Sequence, residues 1–268
     1  MSAFVTVERD QSAVAVVTMN RPERLNALSP SLVADVTDAF RDLGRDRDLR
    51  AIVLAGAGRG FCSGFDLDPG EDAPGGSERG PVGSFYFRQQ QLSDMITAIH
   101  ECDRPVVAAV HGAAVGGGFA VALACDLRVA APDVQFGSIF VRVGLTSCDM
   151  GVSYFLPRIV GVTRAAELML TGRTFGSTEA EHLGLLNGIS EPDRHVEAAV
   201  DLAREIAAHS EYSVWMTKRS MWANVDAPSY RHAAELENRT QALGTFTGNL
   251  DEYAAAFLDK REPRWRPL

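Results

Sequence analysis

The stretch Arg104–Asp126, RPVVAAVHGAAVGGGFAVALACD, constrains the fold of this chain more than any other. Its β-branched apolar run, Val106 to Val110, reads as a buried strand. His111-Gly112 supplies a turn. Three consecutive glycines, Gly116, Gly117 and Gly118, then precede a small-residue helix expected over Phe119–Ala124. Glycines at a helix start permit special torsions and close approach. The first amides of a helix have no partner inside it and lie at the positive end of its dipole. Such a junction serves as a pocket for developing negative charge, or as a tight packing contact between backbones.

A second stretch, Arg50–Asp68, repeats the design. A strand over Ala51–Leu54 runs into a glycine-rich turn and then Phe61-Cys62-Ser63-Gly64-Phe65-Asp66-Leu67. The run GAGRGF is not a dinucleotide-binding loop, because position 61, where the third glycine would stand, is Phe. The chain has no GKS or GKT for a P-loop either.

Taken together these stretches resemble the crotonase family, the enoyl-CoA hydratase/isomerase superfamily. The resemblance covers nearly the whole chain. It runs through Asn20-Arg21-Pro22-Glu23-Arg24-Leu25-Asn26-Ala27-Leu28, then Ala51 to Leu67 and Arg104 to Asp126. It continues in Phe136-Gly137, Leu156-Pro157-Arg158 and Leu168 to Gly172, and ends in Ala254 to Arg261. It implies an α/β fold, a crotonase spiral of ββα units over 1–195, with a C-terminal helical oligomerisation region over 196–268. It implies a homotrimer or hexamer, an acyl-CoA thioester as ligand, and no separate cofactor, coenzyme A being part of the substrate. It also implies an oxyanion hole made by the backbone amides of Phe65 and Gly117, whose donors would stabilise the thioester oxygen as it gains charge. Arg24 and Ala27 would lie near the nucleotide and pantetheine, and Ser63, Gly64, Asp66 and Leu67 would cradle the adenine and thioester ends. Gly116 and Phe140 complete the expected substrate-binding set. Arg24 reads equally as a phosphate ligand or as a solvated arginine.

The chain departs from the family where hydratases carry two glutamates. Those positions hold Ala120 and Phe140. Hydration needs one group to activate water and another to deliver a proton, and neither residue does so. One carboxylate stands nearby, Asp149, at a position matching a catalytic aspartate in dienoyl-CoA isomerases and aryl-CoA dehalogenases. It reads also as the cap of a helix starting near Met150. The expected function is therefore isomerase-like chemistry on an acyl-CoA thioester, with a non-catalytic acyl-CoA-binding protein as the alternative. A peptidase reading fails because no serine follows the triple glycine at a suitable position.

A net charge of −9 argues against nucleic acid and anionic membrane as partners. The four cysteines (62, 102, 125, 148) have no CxxC spacing and the six histidines form no HxxxH pair, so no metal site is expected. No signal peptide is read at the N-terminus, and a reduced, cytoplasmic location fits.

Along the chain, Phe4–Arg9 and Ala13–Met19 read as a hairpin. Ser29-Pro30 starts a helix that ends near Gly44. The segment 69–84, rich in Gly, Pro and charge, reads as a loop that could close over the acyl chain, with a helix resuming at Phe85–Glu101. A strand over Leu127–Ala130 precedes helices at about Met150–Arg158, Thr163–Leu170 and Thr178–Leu183, the last opening on a capping-box spacing. A strand over Leu185–Ser190 follows, and the rest is helical to Leu258. Trp215, Trp222, Phe246 and Phe257 read as core or interface residues. His111 reads as a turn histidine.

Overall fold

The computed structural model describes residues 4–68 and 79–267. The part of the expected loop over 69–78 lies outside them.

The expected hairpin is present. Strand β1 (Val5–Arg9) pairs antiparallel with β2 (Val14–Met19), Val7 facing Val17. Helix α1 (Pro30–Arg45) follows, and the Ser29 Oγ accepts from the Leu32 N–H with Pro30 at the first helical position. Its apolar face, Leu32, Val33, Val36, Phe40 and Leu43, is buried. Strand β3 (Ala51–Gly56) lies parallel to β2, and β4 (Val106–Val110) parallel to β3. Both are buried along their whole length, as parallel strands covered on two faces are. Strand β6 (Leu127–Ala130) and the short β9 (Gly188–Ile189) complete a six-stranded sheet in the order β1-β2-β3-β4-β6-β9.

A second sheet stands at the C-terminal end of β4. It comprises β5 (Ala113–Val115), β7 (Gln135–Gly137) and β8 (Thr174–Gly176), in the order β5-β7-β8. Between the sheets runs helix α3 (Gly117–Ala124), every residue of which is buried. Phe119, Phe136 and Phe175 meet there with ring centroids 5.7 to 5.9 Å apart.

Helix α2 (Gly80–His100) connects β3 to β4, and α4 (Val152–Val160), α5 (Val162–Thr171) and α6 (Ser177–His182) lead to β9. Helix α7 (His195–Ala207) packs on the face of β3 and β4 opposite α1 and α2, burying Ala199 and Ala203 in a separate apolar layer. Helices α8 (Glu211–Val225), α9 (Tyr230–Thr245) and α10 (Asn249–Asp259) finish the chain.

Several local expectations are corrected. Residues 80–84 belong to α2, whose Pro81 occupies the first turn, where a missing N–H costs nothing. Helix α3 begins at Gly117, two residues early, and β5 before it was not foreseen. The capping box at Thr178 is not formed: Gly176 precedes α6 and no side chain caps it. The last strand shrinks to Gly188–Ile189 because only two residues pair with β6. Asp149 does not cap α4, since Gly151 occupies that place.

Candidate active site

The two glycine-rich stretches converge. Phe61 and Cys62 donate to the His111 and Ala113 carbonyls, and Val115 donates back to Cys62, so the chain after β3 runs beside β5. A β-carbon on Gly118 would lie 2.0 Å from the Cys62 carbonyl oxygen, so only glycine permits this approach. Gly64 sits at φ +95, where a β-carbon would meet the Val115 oxygen at 2.8 Å and the Gly117 nitrogen at 3.1 Å. Gly64 and Gly117 are thus back to back.

The amides beside that contact are available. Leu28 donates to the Gly64 carbonyl at 2.7 Å and Asp66 donates to the Leu28 carbonyl at 3.3 Å. This parallel bridge uses the groups on either side of Phe65, so the Phe65 N–H points the other way. Neither it nor the Gly117 N–H, at the unsatisfied start of α3, has an acceptor among the described residues.

Asp149 is half-buried on the loop before α4. Its Oδ1 accepts from the Met150 N–H at 2.8 Å, and its Oδ2 accepts from Gln89 Nε2 of α2 at 3.5 Å. Met150 (φ +46) and Gly151 (φ +80) are both left-handed, a sharp turn that a non-glycine residue adopts only against a cost. Packing holds it: Met150 is buried, and its sulfur lies where a β-carbon of Gly117 would come within 3.1 Å. Asp149 is therefore the chain neighbour of a residue packed on Gly117. Ala120 and Phe140 are both buried in the apolar core.

The segment expected to hold the nucleotide has a different internal order. Asp66 is buried and paired with Arg21 at 2.8 Å and Arg24 at 3.1 Å. Burial pushes its carboxyl up, but the bonds from Arg21, the Asp68 N–H and Arg24 outweigh that and hold it below the ordinary carboxylate value. Arg24 also donates to the Asp68 carbonyl at 2.6 Å, so it is clamped to this loop, with its side chain partly exposed beyond it. Ala27 is buried, Ser63 half-buried with its amide on the Leu25 carbonyl, and Leu67 is 83% exposed. Gly116 sits at φ +54 with Ile139 nearby. Sequence reasoning passed over Asn26 as a site former. Fully buried, it donates to the Ala57, Gly60 and Phe61 carbonyls and accepts from the Arg21 N–H, tying the 21–27 turn to the glycine loop. It also passed over Arg88 and Gln89 of α2. The Arg88 guanidinium carbon stands 4.5 Å from the Phe65 ring centroid. They open a polar run, Arg88 to Gln91, in a helix that carries further polar residues at Ser93, Asp94 and Thr97, so no local signal singled them out.

Burial pushes the Cys62 and Cys125 thiols up to about 12. No group of three metal-ligating side chains occurs among the described residues, and none of their helices is long and apolar enough to cross a membrane.

A family model described as enoyl-CoA hydratase/isomerase matches residues 9–267. A probable enoyl-CoA hydratase of Mycobacterium tuberculosis is 35% identical over 263 residues, covering 97% of this chain and 92% of that protein. A peroxisomal Δ3,5-Δ2,4-dienoyl-CoA isomerase of Arabidopsis thaliana is 32% identical over 278 residues, covering 100% and 99%. The crystal structure of a probable enoyl-CoA hydratase/isomerase from Mycobacterium abscessus superposes with a TM-score of 0.92 at 36% identity, covering 99% of each chain.

Proposed function

The chain belongs to the enoyl-CoA hydratase/isomerase family and has its fold, and from that premise we propose that it moves a double bond within an acyl-CoA thioester rather than hydrating it. The observation that carries this reading is the pair of buried apolar residues, Ala120 and Phe140, at the two positions where hydratases of the family are expected to hold glutamates. Asp149 is then the carboxylate left to move protons.

The Phe65 and Gly117 amides receive the thioester oxygen. Asp149 takes a proton from the carbon next to the carbonyl. The electron pair moves onto that oxygen as an enolate, which two fixed donors stabilise without rearranging. The same carboxyl returns the proton to the far end of the allylic system, so one group suffices where hydration needs two. Oδ2, held among the described residues only by the long bond from Gln89, is the oxygen freer to carry the proton. The reading extends to a trimer or hexamer, supported by the exposed apolar residues Leu243, Phe246, Leu250, Phe257 and Leu258 on α9, α10 and the turn between them. A reducing, cytoplasmic setting agrees with four free cysteines.

The test is Asp149→Asn, assayed for turnover and for acyl-CoA affinity. Turnover falls at least about 10²-fold, the scale of a lost acid/base group, while affinity stays nearly unchanged. Crotonyl-CoA hydration by the parent protein stays far below about 10 s⁻¹, a typical enzyme rate. Full isomerase turnover in the folded variant, or fast hydration by the parent, overturns the reading.

A further inference from the structure

Arg88 has no use in that mechanism, yet it stands over the candidate site. It lies one residue before Gln89, whose amide reaches Asp149, and its guanidinium covers the face of Phe65. Consecutive residues of α2 thus contact both halves of the proposed machinery. Arg88 is paired with no carboxylate among the described residues, whereas Arg21, Arg104, Arg158, Arg173 and Arg204 each hold at least one. Its Nη2 is buried and has no hydrogen-bond partner among the described residues. A buried donor left unmade is costly, and the cost is greater on a charged group. The Phe65 ring under the guanidinium carbon holds the head in place and, having no acceptor atom, takes up none of its conventional hydrogen bonds. What remains is a preoriented fork of donors, the geometry that matches a carboxylate.

We propose that Arg88 determines specificity by binding a carboxylate carried on the acyl group, so that the preferred substrate is the coenzyme A thioester of an unsaturated dicarboxylic acid. The proposal rests on the reading that the Phe65 and Gly117 amides hold the thioester oxygen. With that oxygen anchored, the acyl chain passes Asp149 and its far end comes under α2. A methyl-ended chain leaves the fork unpaired. A carboxylate end fills it with charge-assisted bonds.

The experiment compares two enoyl-CoA thioesters of equal chain length, one ending in a carboxylate and one in its methyl ester, by calorimetric affinity and by kcat/KM. The parent protein prefers the carboxylate by about tenfold or more, the range for hydrogen bonds to charged groups. Arg88→Met brings that ratio to about one, and Arg88→Lys, which keeps charge without the fork, restores part of it. Equal affinity of the parent protein for both thioesters overturns the assignment of Arg88 and leaves the isomerase reading standing. A ratio that survives in Arg88→Met also overturns it. Failure of the parent protein to bind either thioester overturns the reading on which the inference rests.

Discussion

A methyl group at Gly118 would meet a backbone carbonyl at 2.0 Å, whereas the tight contacts of one at Gly117 would be side-chain atoms, Leu28 Cδ1 at 2.9 Å and Met150 Sδ at 3.1 Å, with the Gly64 Cα at an ordinary 3.6 Å. Side chains can rotate away; the backbone of a buried segment cannot. Gly118→Ala therefore destabilises by about 3 kcal/mol or more, the upper end of overpacking costs, and Gly117→Ala by about 1 kcal/mol. Urea midpoints of the two variants check this, and equal midpoints would contradict it. Two adjacent glycines of one motif thus do different work: Gly118 permits the two stretches to touch, and Gly117 presents its amide. Asn26 acts at the same scale, with one side-chain amide serving three carbonyls of the glycine loop.

Among elements, α8 shows how the C-terminal helices are fastened. Lys218 is buried, and its Nζ lies 2.7 Å from Asp126 Oδ2 and donates to the Arg104 carbonyl at 3.1 Å. Asp126 also accepts from the Val106 N–H and from Trp222 Nε1. The same carboxylate therefore joins the start of β4, the end of α3 and the middle of α8. Removing one member of a buried pair leaves the other charge uncompensated, so Lys218→Met costs about 3 to 5 kcal/mol. Thermal unfolding of that variant shows a large drop in midpoint; an unchanged midpoint refutes the fastening. Trp215 and Trp222, expected as core or interface residues, are both partly buried with their indole N–H groups on Asp103 and Asp126.

For the whole molecule, the apolar residues exposed on the last two helices and the open cleft of about 970 Å³ among α8, α9 and α10 bear on assembly. Phe246 is 87% exposed and Phe257 71% exposed, more than a lone subunit gains by showing. Light scattering at micromolar concentration gives a trimer or hexamer; a monomer would count against the proposal. Stability also depends on pH through two histidines. Burial pushes His100 and His195 below the ordinary value of 6.5, and for His195 the stacked His111, 4.4 Å away, adds to it. The folded state then binds fewer protons than the unfolded one. The stability these rings contribute is complete above pH 6.5 and is lost as pH falls through their folded values. Denaturant midpoints decline as pH falls below about 6.5, and His195→Asn flattens part of that decline; an unchanged slope excludes His195 as a source.

What the sequence by itself determined was local and periodic: the β1–β2 hairpin, α1 with its Ser29 cap, the buried strands β3 and β4, and the glycine-rich turns that follow them, Phe65 and Gly117 being singled out there only by the family resemblance. These follow from side-chain alternation, capping chemistry and the torsional freedom of glycine, which act over a few residues. The tertiary structure decided the rest. It placed Met150, the chain neighbour of Asp149, against Gly117, and it put Gly151 rather than Asp149 at the helix cap. It paired Arg24 with Asp66 and Asp68. It set Arg88 over Phe65. Each of these depends on contacts between segments more than twenty residues apart, or on packing that overrides a short-range preference, and no local spacing encodes which distant partner a side chain will meet.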